Sequence, residues 1–586
     1  MSAVSFHFHG YQPGDIVRWL EPDPLKSQTF EERRSPVALR VGSDRIAGKN
    51  WTDAVLRTYG RLQSVLDRAE GAAAVDIEPQ TLVWLLERDP EAYRRTLASY
   101  ENGGLGLVLT PPFHPILPHT HTIERHALFD LMLDFYSPLL RRVGEGSVGL
   151  WLPEAGYSKQ TIVDYFETAR RAMVEIDGLP DLAGGTYLLL DARQLSRSVE
   201  GQTAWATLNL DRGVPVIARE IGLSADFAFG ATPPSDFSAE VRDRKADSVL
   251  VSSDLESLLA NPAQAERFQS IVASLRGEGF NVAPPSPPET RPAADAIEFS
   301  SWSDYDEHLH GGHTSDSRWT GLRRSDGLVV SRPHLGGPLS QLWKHAFTVA
   351  GERVETSIRR AARDVLKEQG VKRPTDALRR LAIAYGRHLF AGHYRRNGYP
   401  SSEVEFPLAA ETILRGKIDV EAAGFLARGY VMMLMGLRSD PRFWDGPDTR
   451  VTFQNIALLS QALVDSAQAC SRTGDPSRAD RLLRLLRTTL LEFAEMHGRG
   501  EFASLQGVEG WETTDGAWHR SLQSEVPQRS ALDVVQRAAL YSVGERGSRG
   551  EGAGRRIAGV VADTGHILGE AHGEWENREW CEHRLE

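Results

Sequence analysis

Residues 148–157 read VGLWLPEAGY, and within them Gly149 to Pro153 form a short apolar run that stops at a carboxylate, Glu154. A run this short, closed by proline, suits a buried β-strand better than a helix. The pattern recurs on both sides. VSFHFHG (4–10), AAVDIEP (73–79) and LGLVLTPPFHP (105–115) precede it, and TYLLLDA (186–192), PVIARE (215–220), SVLVSSD (248–254) and FNVAPP (280–285) follow. That makes eight candidate strands. Between them lie stretches of helical spacing, such as residues 50–71 and 81–103, the latter closed by Asn-Gly-Gly. Crossovers of that length imply parallel strands, hence an α/β fold.

Polar residues stand where these runs end: His7 and His9, Asp76 and Glu78, His114, Glu154, Asp191, Arg219 and Asp254. In β/α barrels and doubly wound sheets, the carboxyl ends of the strands are where chemistry is assembled. One site can collect them all.

The grammar changes after the proline-rich stretch 282–296 and the loop SSWSDYDEHLHGGHTSDSRW (300–319); from there the chain reads as helix to about residue 500. We expect a catalytic region over 1–300, an active-site loop over 301–340, a helical domain over 341–500 and an extension of unassigned role over 501–586. Trp343 and Met432 to Met435 have the spacing of core positions.

Composition narrows the function. The chain of 586 residues has 67 basic and 79 acidic side chains, a formal charge of −12, which argues against a nucleic-acid partner. Two cysteines, Cys470 and Cys581, cannot build a disulfide framework, no apolar run reaches membrane-spanning length, and no secretory signal is evident, so a cytoplasmic setting with no membrane partner is expected. Gly550, Gly552 and Gly554 follow no strand, which rejects a dinucleotide site. His308, His310 and His313 share one glycine-containing loop, which suits solvated or hydroxyl-binding histidines better than a rigid metal site.

Glu154 is placed to attack or deprotonate a group held against the face of Trp151. On spacing alone it could equally cap the next helix or pair with Arg219. Two residues apart on a strand, His7 and His9 face the same side, where they either reach into the site or form a hydrogen-bonded core pair.

WLPEAGY resembles the nucleophile motif of glycoside hydrolase family 57, a Trp-x-Pro-Glu segment ending a barrel strand. HFHGYQP is similar to that family's opening His-x-His-Gln-Pro, with Gly10 and Tyr11 inserted. GLGLVLTPPFHPILP resembles the segment that brings His114 to the site, and the stretch from Arg219 through GLSADFAFG resembles the family's arginine strand. Asp254 and Glu256 match the start of its Asp-x-Glu-x-x-Gly-His pattern, without the Gly-His, and Trp302 falls in its Ser-Trp segment. The resemblance covers about residues 4–320. It implies a distorted seven-stranded (β/α) barrel followed by an α-helical C-terminal region. It also implies a retaining α-glycan hydrolase or glucanotransferase with Glu154 as nucleophile and Asp254 as acid/base, their carboxylates about 5–5.5 Å apart. The sugar contacts would come from His7, His9, Glu78, His114, Trp151, Arg219 and Trp302, the partner would be an oligo- or polysaccharide, and no metal or organic cofactor is required. Two other functions share the barrel: a zinc-dependent deacetylase or mannosidase using His7 and His9, and a carbohydrate-binding protein that has lost catalysis.

Overall fold

Seven of the apolar runs become the staves of a closed parallel barrel: β1 (Ala3–Gly10), β2 (Ala73–Ile77), β3 (Gly106–Leu109), β4 (Val148–Trp151), β5 (Thr186–Asp191), β7 (Val214–Arg219) and β8 (Ser248–Asp254), with β8 returning to β1. In this computed structural model the described residues are 2–11, 59–69, 71–144, 147–195, 204–210, 213–289, 291–302, 317–321, 331–334, 337–340, 342–443 and 450–498. They fall into a barrel unit, residues 2–11 and 59–302, and a helical unit, residues 317–498.

The barrel is distorted at one seam. Strands β7 and β8 share a single register pair, Arg219 with Leu250. Strand β6 (Trp205–Leu208), which the sequence pattern does not reveal, runs antiparallel to β7 there, and the Ala204 N–H donates to the Ser248 carbonyl at 3.1 Å. The eighth expected strand is reduced to β9 (Asn281–Val282), which pairs with the start of β1 outside the closed ring, and β10 (Ala293–Ala294) extends β6. The proline-rich sequence that follows β9 leaves it few amide donors to go further.

Alternation sorts each strand into two faces. Val4, Phe6 and Phe8 of β1 turn outward to Phe227 and Phe268 of the surrounding helices, with Phe6 and Phe8 centroids 5.1 and 5.2 Å from Phe268. Inward, Ala74, Val108, Trp151, Tyr187, Leu189, Ile217 and Leu250 fill the lumen. Gly149 belongs to this layer: a Cβ there would stand 2.7 Å from Val108 Cγ2 and 3.0 Å from Tyr187 Cζ, so its absence makes room for the tyrosine. The stretch 81–103 proves to be parts of two helices, Pro79–Arg88 and Pro90–Glu101. Pro90 has no N–H to continue the first, and the Asp89 side chain caps the second by accepting from Ala92 N at 3.0 Å. The second ends as expected, with Gly103 left-handed.

The helical unit is built on helices Leu342–Glu368, Pro374–Leu389, Val420–Gly436, Arg450–Arg472 and Pro476–Gly498. Helix Val420–Gly436 is buried throughout from Ala422, Met432 to Met435 included, as their spacing predicts. Gly429 lets it lie close against the helix of residues 450–472; a Cβ would come within 2.8 Å of Ser466 Oγ. Arg428 and Asp465 join the same two helices as a fully buried pair, both bonds 2.7 Å. Burial also pushes the Cys470 thiol up to about 12, which leaves it inert. Among the described residues no helix is long and apolar enough to cross a membrane.

Candidate active site

Register brings the strand-end residues to one rim. His9 is paired with Asp76 on one side and with Asp254 on the other, so the ends of β2, β1 and β8 lie at one level. Arg219 is likewise paired with Asp191 of β5.

At the centre is the carboxylate of Asp76, fully buried. It accepts from His7 Nε2 at 2.8 Å and from His9 Nδ1 at 2.6 Å. Burial alone would raise this carboxyl, but the charges and hydrogen bonds of the two imidazoles hold it below the ordinary range. His7 Nδ1 lies 2.8 Å from Ser252 Oγ, and His9 Nε2 lies 2.9 Å from His114 Nε2. Burial also works against a charged His9. It is outweighed by the charge and hydrogen bond of Asp76, aided by Asp254 and Glu256, and the pKa rises to about 9. Tyr11, which the sequence shows only as an insertion, stacks on His114 with centroids 4.1 Å apart and planes 9° apart.

Glu154 follows β4 in a turn of left-handed backbone, φ 59° at Glu154 and 48° at Ala155. Beside it, after the neighbouring strand β3, Phe113 and His114 form a second such pair, at 72° and 50°. These four make up most of the seven non-glycine residues with positive φ among those described, a concentration of backbone strain expected where side chains must be aimed. The strain is held by specific bonds. Trp302 N donates to the Glu154 carbonyl at 3.2 Å and Trp302 Nε1 to Glu154 Oε2 at 2.9 Å, while His114 Nδ1 stands 3.9 Å from Oε1. Gln194, buried in the turn after β5, donates to the Ala155 carbonyl at 2.8 Å. The next helix is capped by Ser158, whose side chain accepts from Thr161 N, so Glu154 does not cap it. Arg219 Nε donates instead to Asp191 Oδ2 at 2.7 Å, and its guanidinium lies 4.7 Å over the Trp302 ring.

Three of the expected sugar contacts turn out to be sealed. His7 and Glu78 are 0% exposed and Trp151 is 1%. Glu78 accepts from Thr81 N at 3.0 Å and Phe113 N at 2.7 Å, thereby capping a helix and holding the His114 turn. Trp151 lies beneath the site against His7, His9 and Trp302, centroids 5.1, 5.6 and 4.8 Å away. Trp302 is engaged by Glu154 and Arg219 rather than standing as an open platform. His9 and His114 are themselves mostly covered, whereas Asp254 reaches solvent at the rim. Surrounding protein nevertheless pushes the Asp254 carboxyl up, partly opposed by His9 and Arg219.

Where the family pattern has Gly-His after Asp254, this chain continues as helix Glu256–Ala260 with Leu258 and Leu259 buried, and Glu256 accepts from Tyr59 Oη at 2.5 Å. Gln12, Pro13, the three histidines of the 308–313 loop, Gly550, Gly552, Gly554, Cys581 and the extension over 501–586 lie outside the described residues.

The donor set does not suit the zinc reading. Among the described residues, no group of side chains placed to hold a metal ion includes His7, His9 or Asp76. A closed parallel barrel that gathers carboxylates, imidazoles and an arginine at the carboxyl ends of its strands has the architecture of the barrel enzymes, whose chemistry is assembled at that rim. The model of the maltose-forming α-amylase-like N-terminal domain matches residues 1–285, and that of the corresponding C-terminal domain matches residues 318–565. The chain belongs to this family of maltose-forming α-amylase-like proteins.

Among solved structures, the chain is similar to an exo-type maltose-forming amylase from Pyrococcus sp. ST04. The identity is 29% over 97% of this chain and 95% of that one, with a TM-score of 0.75. A 4-α-glucanotransferase from Thermococcus litoralis (13% identity, 80% and 60% covered, TM-score 0.44) and a branching enzyme from Pyrococcus horikoshii (10%, 79% and 94%, 0.40) are too remote to bear on fold or function. No curated protein matches significantly.

Proposed function

We propose that the chain cleaves α-glucans with retention of configuration, Glu154 serving as nucleophile and Asp254 as acid/base. Glu154 attacks the anomeric carbon while the glycosidic oxygen departs with the Asp254 proton. Water or a sugar hydroxyl then gives its proton to Asp254, attacks the same carbon and frees Glu154. The observation that carries this reading is the Glu154 turn, a left-handed backbone tied to Trp302 through both main chain and side chain. The upward push on Asp254 favours the protonated form that the first step needs. In this reading Arg219 meets the sugar at the rim, and Trp302 orients the nucleophile. Likeness to the Pyrococcus enzyme supports maltose as product, released from chain ends.

The test is made on starch and maltooligosaccharides with the full chain. Glu154→Gln should lower kcat by at least about a thousandfold. Azide added to Glu154→Gly should return turnover as a glycosyl azide of inverted configuration. Asp254→Asn should spare substrates whose leaving group needs no proton. Wild-type activity that survives both substitutions sinks the assignment.

A further inference from the structure

We propose that Asp76 is a positioning residue for the nucleophile: through His9 it fixes the direction of a hydrogen-bonded chain that runs on through His114 and ends opposite Glu154. The proposal rests on the reading of Glu154 as nucleophile and adds the residue that sets its electrostatic surroundings.

The direction follows from counting protons. A buried carboxylate can only accept, so His9 Nδ1 carries a proton toward Asp76 at 2.6 Å. His9 Nε2 and His114 Nε2, 2.9 Å apart, must share one proton. The groups facing His9 decide which ring supplies it. These are Asp76 from β2, Asp254 from β8 with Glu256 just beyond it, His114 after β3, and His7 on its own strand; Trp151 of β4 brings no charge. Carboxylates outnumber cations, and His9 keeps both protons up to about pH 9. His9 therefore donates at both ends, His114 Nε2 accepts, and the His114 proton rests on Nδ1, the nitrogen 3.9 Å from Glu154 Oε1. At that distance the contact is electrostatic rather than a hydrogen bond. It favours the carboxylate that Glu154 must hold before attack and regain when the glycosyl group leaves. Tyr11 stacked on the ring and the left-handed backbone of Phe113 and His114 keep the imidazole in this orientation.

Asp76→Asn removes the anion that keeps His9 charged. The shared proton can then come from His114 Nε2, which turns the Nδ1 lone pair toward Glu154.

The probe is α-maltosyl fluoride, whose leaving group needs no acid, so the alkaline limb of kcat/KM no longer reports Asp254. In the wild-type chain that limb should fall near pH 9, with loss of the His9 proton. In Asp76→Asn it should move down by about one unit or more. His114→Phe, which keeps the stack on Tyr11 but has no nitrogen, should abolish the limb. Adding Asp76→Asn to His114→Phe should change kcat/KM less than about twofold, because the chain is already cut. An unmoved limb in a folded Asp76→Asn protein, or additive losses in the double variant, overturns the proposal. Should Asp76→Asn fail to fold, an unchanged limb in His114→Phe overturns it equally. No turnover by wild type, or turnover retained by Glu154→Gln, instead overturns the assignment of the nucleophile.

Discussion

Each unit buries an aspartate completely and gives it more than one nitrogen, yet the two arrangements end differently. Asp465 in the helical unit receives Arg428 Nε and Nη2 and Gln461 Nε2, all at 2.7 Å. Both arginine bonds return to the same carboxylate, and arginine cannot lose its charge at ordinary pH, so the cluster closes on itself and serves the fold. Asp76 in the barrel receives two imidazoles, and each has a second nitrogen that carries the contact onward, to Ser252 and to His114. A buried charge paired by arginine is a staple, whereas one paired by histidine is a point from which polarity can be passed to a neighbour.

The largest effect should come from opening the closed cluster. Arg428→Met leaves Asp465 buried without its cation, which costs about 3–5 kcal/mol in denaturant unfolding, whereas adding Asp465→Leu should return most of it. A double variant no more stable than the single one would show that the pair is not a self-contained unit.

A smaller, pH-dependent effect belongs to the barrel. The folded pKa of His9 is raised to about 9, above the unfolded value of about 6.5. Its contribution is therefore fully present below about pH 6.5 and lost as pH rises through 9, at most about 3 kcal/mol in all. Melting temperatures from pH 6 to 10 should show this decline in wild type and not in His9→Gln.

Two glycines sharpen the contrast further. Gly149→Ala forces a methyl against Val108 and Tyr187 and should cost about 1–3 kcal/mol. Gly351→Ala, in helix Leu342–Glu368 with nothing nearer than 3.9 Å, should stabilise by about 0.5–1 kcal/mol. Both are read from denaturant midpoints; an equal effect at the two sites would deny that the barrel lumen is the tighter packing.

The barrel was legible because each stave is a short apolar run stopped by a polar residue, and that signal needs no tertiary information. Strand β6 escaped because TAWATLNL carries no long apolar run, and its place is set by antiparallel pairing with β7. Glu154 and Asp254 could be named from their motifs. The part played by Asp76 could not, since it depends on the register that sets β2 and β8 on either side of His9. Glu78 has a second role that its position leaves open: a carboxylate at a strand end is also well placed to cap the helix that follows, and here the amides of Thr81 and Phe113 donate to it. Tyr11 looked like an interruption until the fold laid its ring on His114.

The seam between β7 and β8 carries a consequence for how the molecule breathes. Closure there is one rung deep, and beside that rung the Glu220 amide donates to the Leu250 carbonyl at 2.8 Å. Arg219 stands on one lip and the end of β8 leads to Asp254 on the other. Local opening should start at this point, so in hydrogen–deuterium exchange the Glu220 amide should become labelled well before the amides in the middle of β5. That one amide would then gauge how often the two lips of the rim part, and a sugar bridging them should slow its exchange while leaving the far side of the barrel unchanged.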